Sequence, residues 1–182
     1  MNNKYIYYPN LDFDLEKIKE IVFRNDRKRY KDLATHQHRI KEEPYLIELQ
    51  EKYPFLSNIY NIYSTAPGYR TPIHICPNRG CAINIPISYT EDSHTIFYEI
   101  KDNAKLMHIK ERIYDVIREE DATEVFRYTL DRPTLMNTQL PHGVIGGPLK
   151  KRTIMSWSIN LDSDYETTRA ILMSMSKVSN NL

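Results

Sequence analysis

The period of the apolar positions changes near residue 59. Before it, Leu11, Leu15, Ile18 and Val22 step by four, three and four, the stripe of an amphipathic helix, with Asn10 or Asp12 in place to cap it. A short strand over residues 4–8 precedes this helix and stops at Pro9. A second helix is predicted from Pro44 to Lys52, with proline in its first turn and Tyr45, Leu46 and Leu49 facing inward. Between the two, RNDRKRYKDLATHQHRIKEE (24–43) is polar and basic and reads as a solvated surface loop.

From residue 59 onward the runs are short, β-branched and aromatic: IYNIYS, IHIC, CAINIPIS, TIFYEI, VFRYTL, TLMN, HGVI and RTIMSWSI. Turn formers such as PG, PNRG, TED and GGP separate many of them, and a strand series at this spacing predicts a sandwich or barrel. The polar segment 110–123 has room for one turn of helix. Residues 164–175 read as a closing helix with Tyr165, Ile171, Leu172 and Met175 near one face. The expectation is one mainly β domain over 1–182. It divides into a helical N-terminal flank (1–56), a β-core (57–160) and a C-terminal helix (161–182).

Composition changes this picture little. The 182 residues carry 25 basic and 24 acidic groups, so no strong field favours nucleic acid or an anionic membrane. Two cysteines make no disulfide framework, and no apolar run approaches the roughly 20 residues of a membrane span. The start lacks the apolar core of a signal peptide. These features predict a cytoplasmic protein. The partner they leave is a small-molecule or peptide substrate.

Strand faces carry the candidate chemistry. His74 and Cys76 are two apart in an extended run, so both side chains reach one centre. Imidazole is the commonest metal ligand and thiolate an available one. Taken alone, His74 also reads as a satisfied histidine in a buried strand, and His142 as a turn histidine. Ten residues after His142, Arg152 opens a strand in which Arg152, Ile154, Ser156 and Ser158 share one face and Thr153, Met155, Trp157 and Ile159 the other. A guanidinium on the less bulky face suits a buried carboxylate. In CAINIPIS, Asn84 shares a face with Ala82 and Pro86, and a buried amide there needs a neighbouring strand or a polar ligand.

Together TPIHIC, NIPI, LPHGVIGG and RTIMSWSI resemble the iron- and 2-oxoglutarate-dependent oxygenases, in particular the aspartyl/asparaginyl β-hydroxylase-like branch. The resemblance covers residues 59–160. It implies a double-stranded β-helix (jelly roll, cupin-like) and hydroxylation of a C–H bond. His74 and His142 would bind Fe(II), and Arg152 the far carboxylate of the cosubstrate 2-oxoglutarate. Asn84 falls near a position where that branch has a second cosubstrate-binding side chain, a histidine. Two departures stand out. Cys76 occupies the carboxylate position of the usual triad. It either ligates as thiolate or stands by and leaves the place to water, and the resemblance favours the bystander. The serine often found two residues after the arginine is Ile154 here, with Ser156 one step deeper on the same face.

Other readings remain open. A jelly roll without the carboxylate could be a non-catalytic binding or structural protein, or a cupin-like metal enzyme that uses no 2-oxoglutarate. His94 could add a third imidazole, and His74, Cys76, Cys81 and His142 could form a zinc site. His36, His38 and His108 are expected to be exposed. The loop 24–43 and the turn 77–80 are the expected variable rims.

Overall fold

The connectivity of twelve strands defines the architecture of the computed structural model, which describes residues 3–26, 35–39, 43–76, 79–104, 107–108, 115–160 and 164–179. In chain order these are β1 (Ile6–Tyr7), α1 (Leu15–Asp26), β2 (Thr35–Arg39), α2 (Pro44–Lys52), β3 (Leu56–Thr65), β4 (Ile73–His74), β5 (Cys81–Ser88) and β6 (His94–Ile100). Then follow β7 (Met107–His108), β8 (Asp115–Ile117), β9 (Ala122–Tyr128), β10 (Thr134–Asn137), β11 (His142–Ile145), β12 (Arg152–Ile159) and α3 (Tyr165–Ser179). The strands form two six-stranded antiparallel sheets, β1-β10-β5-β12-β3-β2 and β7-β8-β4-β11-β6-β9. Core strands change sheet at every step except from β6 to β9: β3, β5, β10 and β12 lie in the first, and β4, β6, β9 and β11 in the second. That alternation is the winding of a jelly roll, the double-stranded β-helix expected from the sequence.

The period-2 pattern sorts side chains into two cores. Cys81, Ile83, Ile85 and Ile87 of β5, with Met155, Trp157 and Ile159 of β12, pack against Ile18, Ile21 and Val22 of α1, Leu46 and Leu49 of α2, and Leu172 of α3. The opposite face of β12 contributes Ile154 to the inter-sheet core, with Phe97, Tyr128, Leu130 and Met136. The predicted division of β12 into an apolar face and a face with the arginine is the division between these cores. Trp157 is fully buried, stacked on Phe13 and edge-on to Tyr60, and its indole N–H donates to Ser57 O at 2.7 Å.

Several details depart from the sequence reading. The cap of α1 is Asp14, whose carboxylate accepts from Lys17 N at 3.0 Å. Asp12 instead pairs with Lys52 at 2.8 Å. The stretch read as loop 24–43 contains β2, which pairs along β3 from Thr35↔Thr65 to Arg39↔Asn61. THQHR has no apolar alternation, so an edge strand there is set by its partner and not by its own pattern. With β1 it makes the N-terminal flank more than helical. Of the expected IHIC strand only Ile73–His74 is regular, although Cys76 N still donates to Thr138 O at 3.0 Å. In the segment 110–123 the structure has β8, a 3₁₀ turn at Glu119–Asp121 and the start of β9; residues 110–114 lie outside the described residues. The exposure expected of His36, His38 and His108 also lies outside what is described, as do residues 27–34, 40–42, 77 and 78 of the two expected rims. Among the described residues no helix is long and apolar enough to cross a membrane.

Candidate metal centre

Adjacent strands β4 and β11 oppose His74 and His142 as a direct antiparallel pair. Opposed side chains leave a sheet on the same face with Cβ atoms ~4.5–5.5 Å apart, and the ring centroids lie 4.4 Å apart. Each imidazole is held the same way. Nδ1 of His74 is 2.9 Å from Pro72 O, and Nδ1 of His142 is 2.8 Å from Leu140 O, in both cases the carbonyl two residues back. A carbonyl only accepts, so Nδ1 carries the proton and Nε2 is left for a ligand. Such outer hydrogen bonds fix the tautomer of metal-binding histidines.

Cys76 completes the cluster. Its Sγ is 3.9 Å from His142 Nε2, and the ligand atoms of His74, Cys76 and His142 all lie within 4.8 Å of one another. Two ligand bonds of ~2.0–2.3 Å span at most ~4.5 Å, so one small side-chain rotation separates the cluster from an ion-binding arrangement. Burial pushes the Cys76 thiol up, but hydrogen bonds to His142 and His74 and the charge of Arg79 outweigh it and bring its pKa to about 4. Burial depresses His142 below the usual histidine value, and Cys76 only partly opposes this. Both shifts favour the thiolate and the neutral imidazole, the forms in which sulfur and Nε2 can bind a cation. The residues fit a metal ion.

A guanidinium closes another side of the cluster. Arg79 donates from Nη1 to Ser156 Oγ at 3.0 Å and from Nη2 to Cys76 Sγ at 3.5 Å, with its Cζ 5.9 Å from the centre of the Tyr63 ring. Its carbonyl is anchored by Gln139 Nε2 at 2.8 Å and by the Thr138 hydroxyl. Ser156 lies on the inner face of β12, opposite Asn61 of β3 and Asn84 of β5, and all three are buried.

Four residues before Ser156 on that inner face stands Arg152, only 2% exposed. Its Nε is buried without a hydrogen-bond partner, and among the described residues no aspartate or glutamate is buried beside it. Burial lowers its pKa to about 10, so it stays charged at neutral pH. Tyr128 is its neighbour. Burial raises the phenol's pKa, while Arg152, Thr95 and Asn84 each act against that shift, so these four groups sit together. Asn84 Nδ2 donates to Met136 Sδ at 3.3 Å, and its Oδ1 has no partner. A buried guanidinium with an unpartnered Nε and no buried carboxylate beside it among the described residues fits a carboxylate ligand, because a buried charge is costly to leave unmet and the fork matches two oxygens.

The structure therefore brings His74, Cys76 and His142 to one point and sets Arg152, Asn84 and Ser156 on the sheet across from it. It separates the other candidates. His94 opposes Ile145 at the far end of β11 and its Nδ1 lies 3.0 Å from Thr129 Oγ1, so it adds no third imidazole. Cys81 points to the helical core and donates to Thr168 Oγ1, which removes the four-residue zinc site. Arg79 and Tyr128 were not among the expected site residues. Tyr128 shares a β9 face with Phe126, which alternation could have shown. Arg79 sits in a turn, where no period exists to aim it.

Fold and site together define a jelly roll with a half-buried histidine–cysteine–histidine cluster and a guanidinium inside the roll. No protein-family profile matches the chain, and no curated protein matches its sequence. Solved structures with a similar fold include HygX from Streptomyces hygroscopicus, solved with nickel and 2-oxoglutarate bound: 11% identity, TM-score 0.49, covering 85% of this chain and 81% of that one. A Pseudomonas putida prolyl-4-hydroxylase is similar at 9% identity and TM-score 0.47, over 87% and 92% of the two chains. Vicilin from hazelnut, Corylus avellana, is similar at 9% identity and TM-score 0.40, over 72% of this chain and 31% of the vicilin, so this chain spans about a third of that protein.

Proposed function

We propose that this chain is an Fe(II)- and 2-oxoglutarate-dependent dioxygenase that hydroxylates a C–H bond of its substrate. The observation that carries the reading is the pairing of two features. A cluster of three metal-ligating side chains, His142 buried and the other two half-buried, faces a sheet whose inner side holds a buried guanidinium with no carboxylate partner among the described residues. His74, His142 and Cys76 would hold the iron, and Arg152 the far carboxylate of 2-oxoglutarate. Arg152 is ~13 Å along β12 from Ser156 at ~3.3 Å per residue, a span that a short diacid and an arginine side chain cover together. Iron and 2-oxoglutarate, when bound, would supply oxygen activation, with the cosubstrate oxidised to succinate and carbon dioxide.

The chain's own residues orient and insulate. Pro72 O and Leu140 O hold the two imidazoles with Nε2 forward. Phe97 packs against His142 with ring centroids 6.1 Å apart and excludes water from its inner side. Tyr128 and Thr95 supply hydroxyls beside Arg152, suited to the remaining lone pairs of a bound carboxylate. We extend the reading to the β-hydroxylase-like branch on the ten-residue step from His142 to Arg152, with Cys76 its departure.

A second reading rests on Cys76. Thiolate with two imidazoles also suits zinc, in a cupin-like enzyme that uses no 2-oxoglutarate. Anaerobic titration with Fe(II) and then 2-oxoglutarate, followed by visible absorption, separates the two. A metal-to-cosubstrate charge-transfer band is expected only if both bind at one centre. Zinc binding without any 2-oxoglutarate response would favour the second reading. A folded protein that binds neither metal would leave a non-catalytic jelly roll.

A further inference from the structure

We propose that the substrate carries a carboxylate and that Arg79 is the group that binds it, beside the metal; this rests on the oxygenase reading above. The starting point is a charge imbalance inside the roll. Arg79 reaches from Cys76 of the cluster to Ser156 on the inner face of β12, and Arg152 stands buried on that same face. Of the buried polar and charged residues described, none is an aspartate or glutamate. No described carboxylate forms an ion pair with Arg79; the groups that act on its charge are Tyr63, Cys76 and Cys81.

The charges can be counted for the loaded site. A divalent ion and two guanidiniums contribute four positive charges. A coordinating cysteine is deprotonated by the metal and contributes one negative charge, and 2-oxoglutarate contributes two. One positive charge remains. An unpaired charge in a low-dielectric space is destabilising, so the last component to enter is favoured if it brings one negative charge. Arg152 is matched by the cosubstrate, which leaves Arg79 as the group to be answered.

Geometry agrees with that assignment. Arg79 is fixed at its backbone by Gln139 and Thr138 and spans from Cys76 to Ser156, so it occupies the space next to the metal ligands and not the deep end where Arg152 lies. Its present acceptors are a sulfur at 3.5 Å and a neutral hydroxyl. Both are weaker partners for a guanidinium than a carboxylate, which meets its planar fork with two oxygens. A single leftover charge matches a carboxylate better than a phosphate dianion.

The test uses the full chain loaded anaerobically with Co(II) and saturated with 2-oxoglutarate, so that Arg152 is occupied. Acetate, benzoate and N-acetylglycine are titrated against their amides, and the visible cobalt spectrum reports binding beside the metal. At least one acid is expected to perturb the spectrum at millimolar concentration, at least tenfold more tightly than its amide. Arg79→Gln is expected to weaken that acid tenfold or more, and Arg79→Lys to recover part of the loss. Acids and amides binding equally, no acid binding at all, or an unchanged affinity in Arg79→Gln would each overturn the assignment. If wild type takes up cobalt but not 2-oxoglutarate, the oxygenase reading itself fails. If 2-oxoglutarate binds but the protein is blind to carboxylates, only the Arg79 proposal does. Folding of each variant is checked by circular dichroism, and the lysine variant keeps the comparison meaningful if glutamine disturbs the turn.

Discussion

Arg152→Ala is expected to lose 2-oxoglutarate binding while metal binding stays close to wild type. Truncating one partner of a buried, charge-assisted pair costs about 2–5 kcal/mol, roughly 30- to 5000-fold in affinity. The metal ligands come from β4, β11 and the turn that follows β4, none of which Arg152 supports. The ligand-free protein gives an independent check. The Nε of Arg152 is buried without a partner, and among the described residues no buried carboxylate answers its charge. Replacement by methionine, which fills similar space without charge, is therefore expected to leave the unliganded protein as stable as wild type or more so in urea. Lysine at 152 keeps the charge and loses the fork, so it is expected to recover only part of the affinity. Equal 2-oxoglutarate affinity in wild type and Arg152→Ala, by anaerobic titration, would remove Arg152 as the anchor.

His142→Ala is expected to reduce Fe(II) affinity by more than the ~10–100-fold typical of losing an outer-sphere partner. Cys76→Ala is the sharper comparison. The sulfur is 3.9 Å from His142 Nε2 and within the span of the three ligand atoms, which favours a coordinating thiolate over the bystander expected from the resemblance. A loss of tenfold or more, about 1.4 kcal/mol, is the expected result, and an unchanged affinity would return Cys76 to the bystander role. Proton competition has a definite sign. Protons compete with the metal for the sulfur and for the imidazole nitrogen, so affinity falls as pH falls. With the Cys76 pKa at about 4 and His142 below its usual value, these two groups compete only in the acid range. A thiol at its ordinary ~8.5 would already compete at neutral pH. Fe(II) or Co(II) titration across pH, in wild type and Cys76→Ala, measures this.

Much of the framework could be read from alternation. Ile83, Ile85, Met155 and Trp157 are apolar on one face because helices cover it, while Asn84, Arg152 and Ser156 share the other. The face assignment of Arg152 followed from that alone. The meeting of His74 and His142, 68 positions apart in the chain, depends on which strands become neighbours, and a one-dimensional pattern does not encode that. β2 was hidden because an edge strand can be polar on both sides. Arg79 was hidden because a turn has no face. Its direction comes from Gln139 and Thr138, which belong to a different turn.

β4 has only two residues in regular pairing, held between β8 and β11, yet it carries half of the histidine pair. A ladder this short offers little resistance to local opening. An ion bridging His74 and His142 would tie it to β11 through side chains as well as through the backbone. Opening would then require the metal to leave first. The protection of the Ile73–Cys76 amides against deuterium exchange would rise with metal concentration, while that of β12, buried along its whole length, would change little. The centre would thus act as a local clasp, and the rate at which this short strand breathes would become a measure of how fully it is charged with metal.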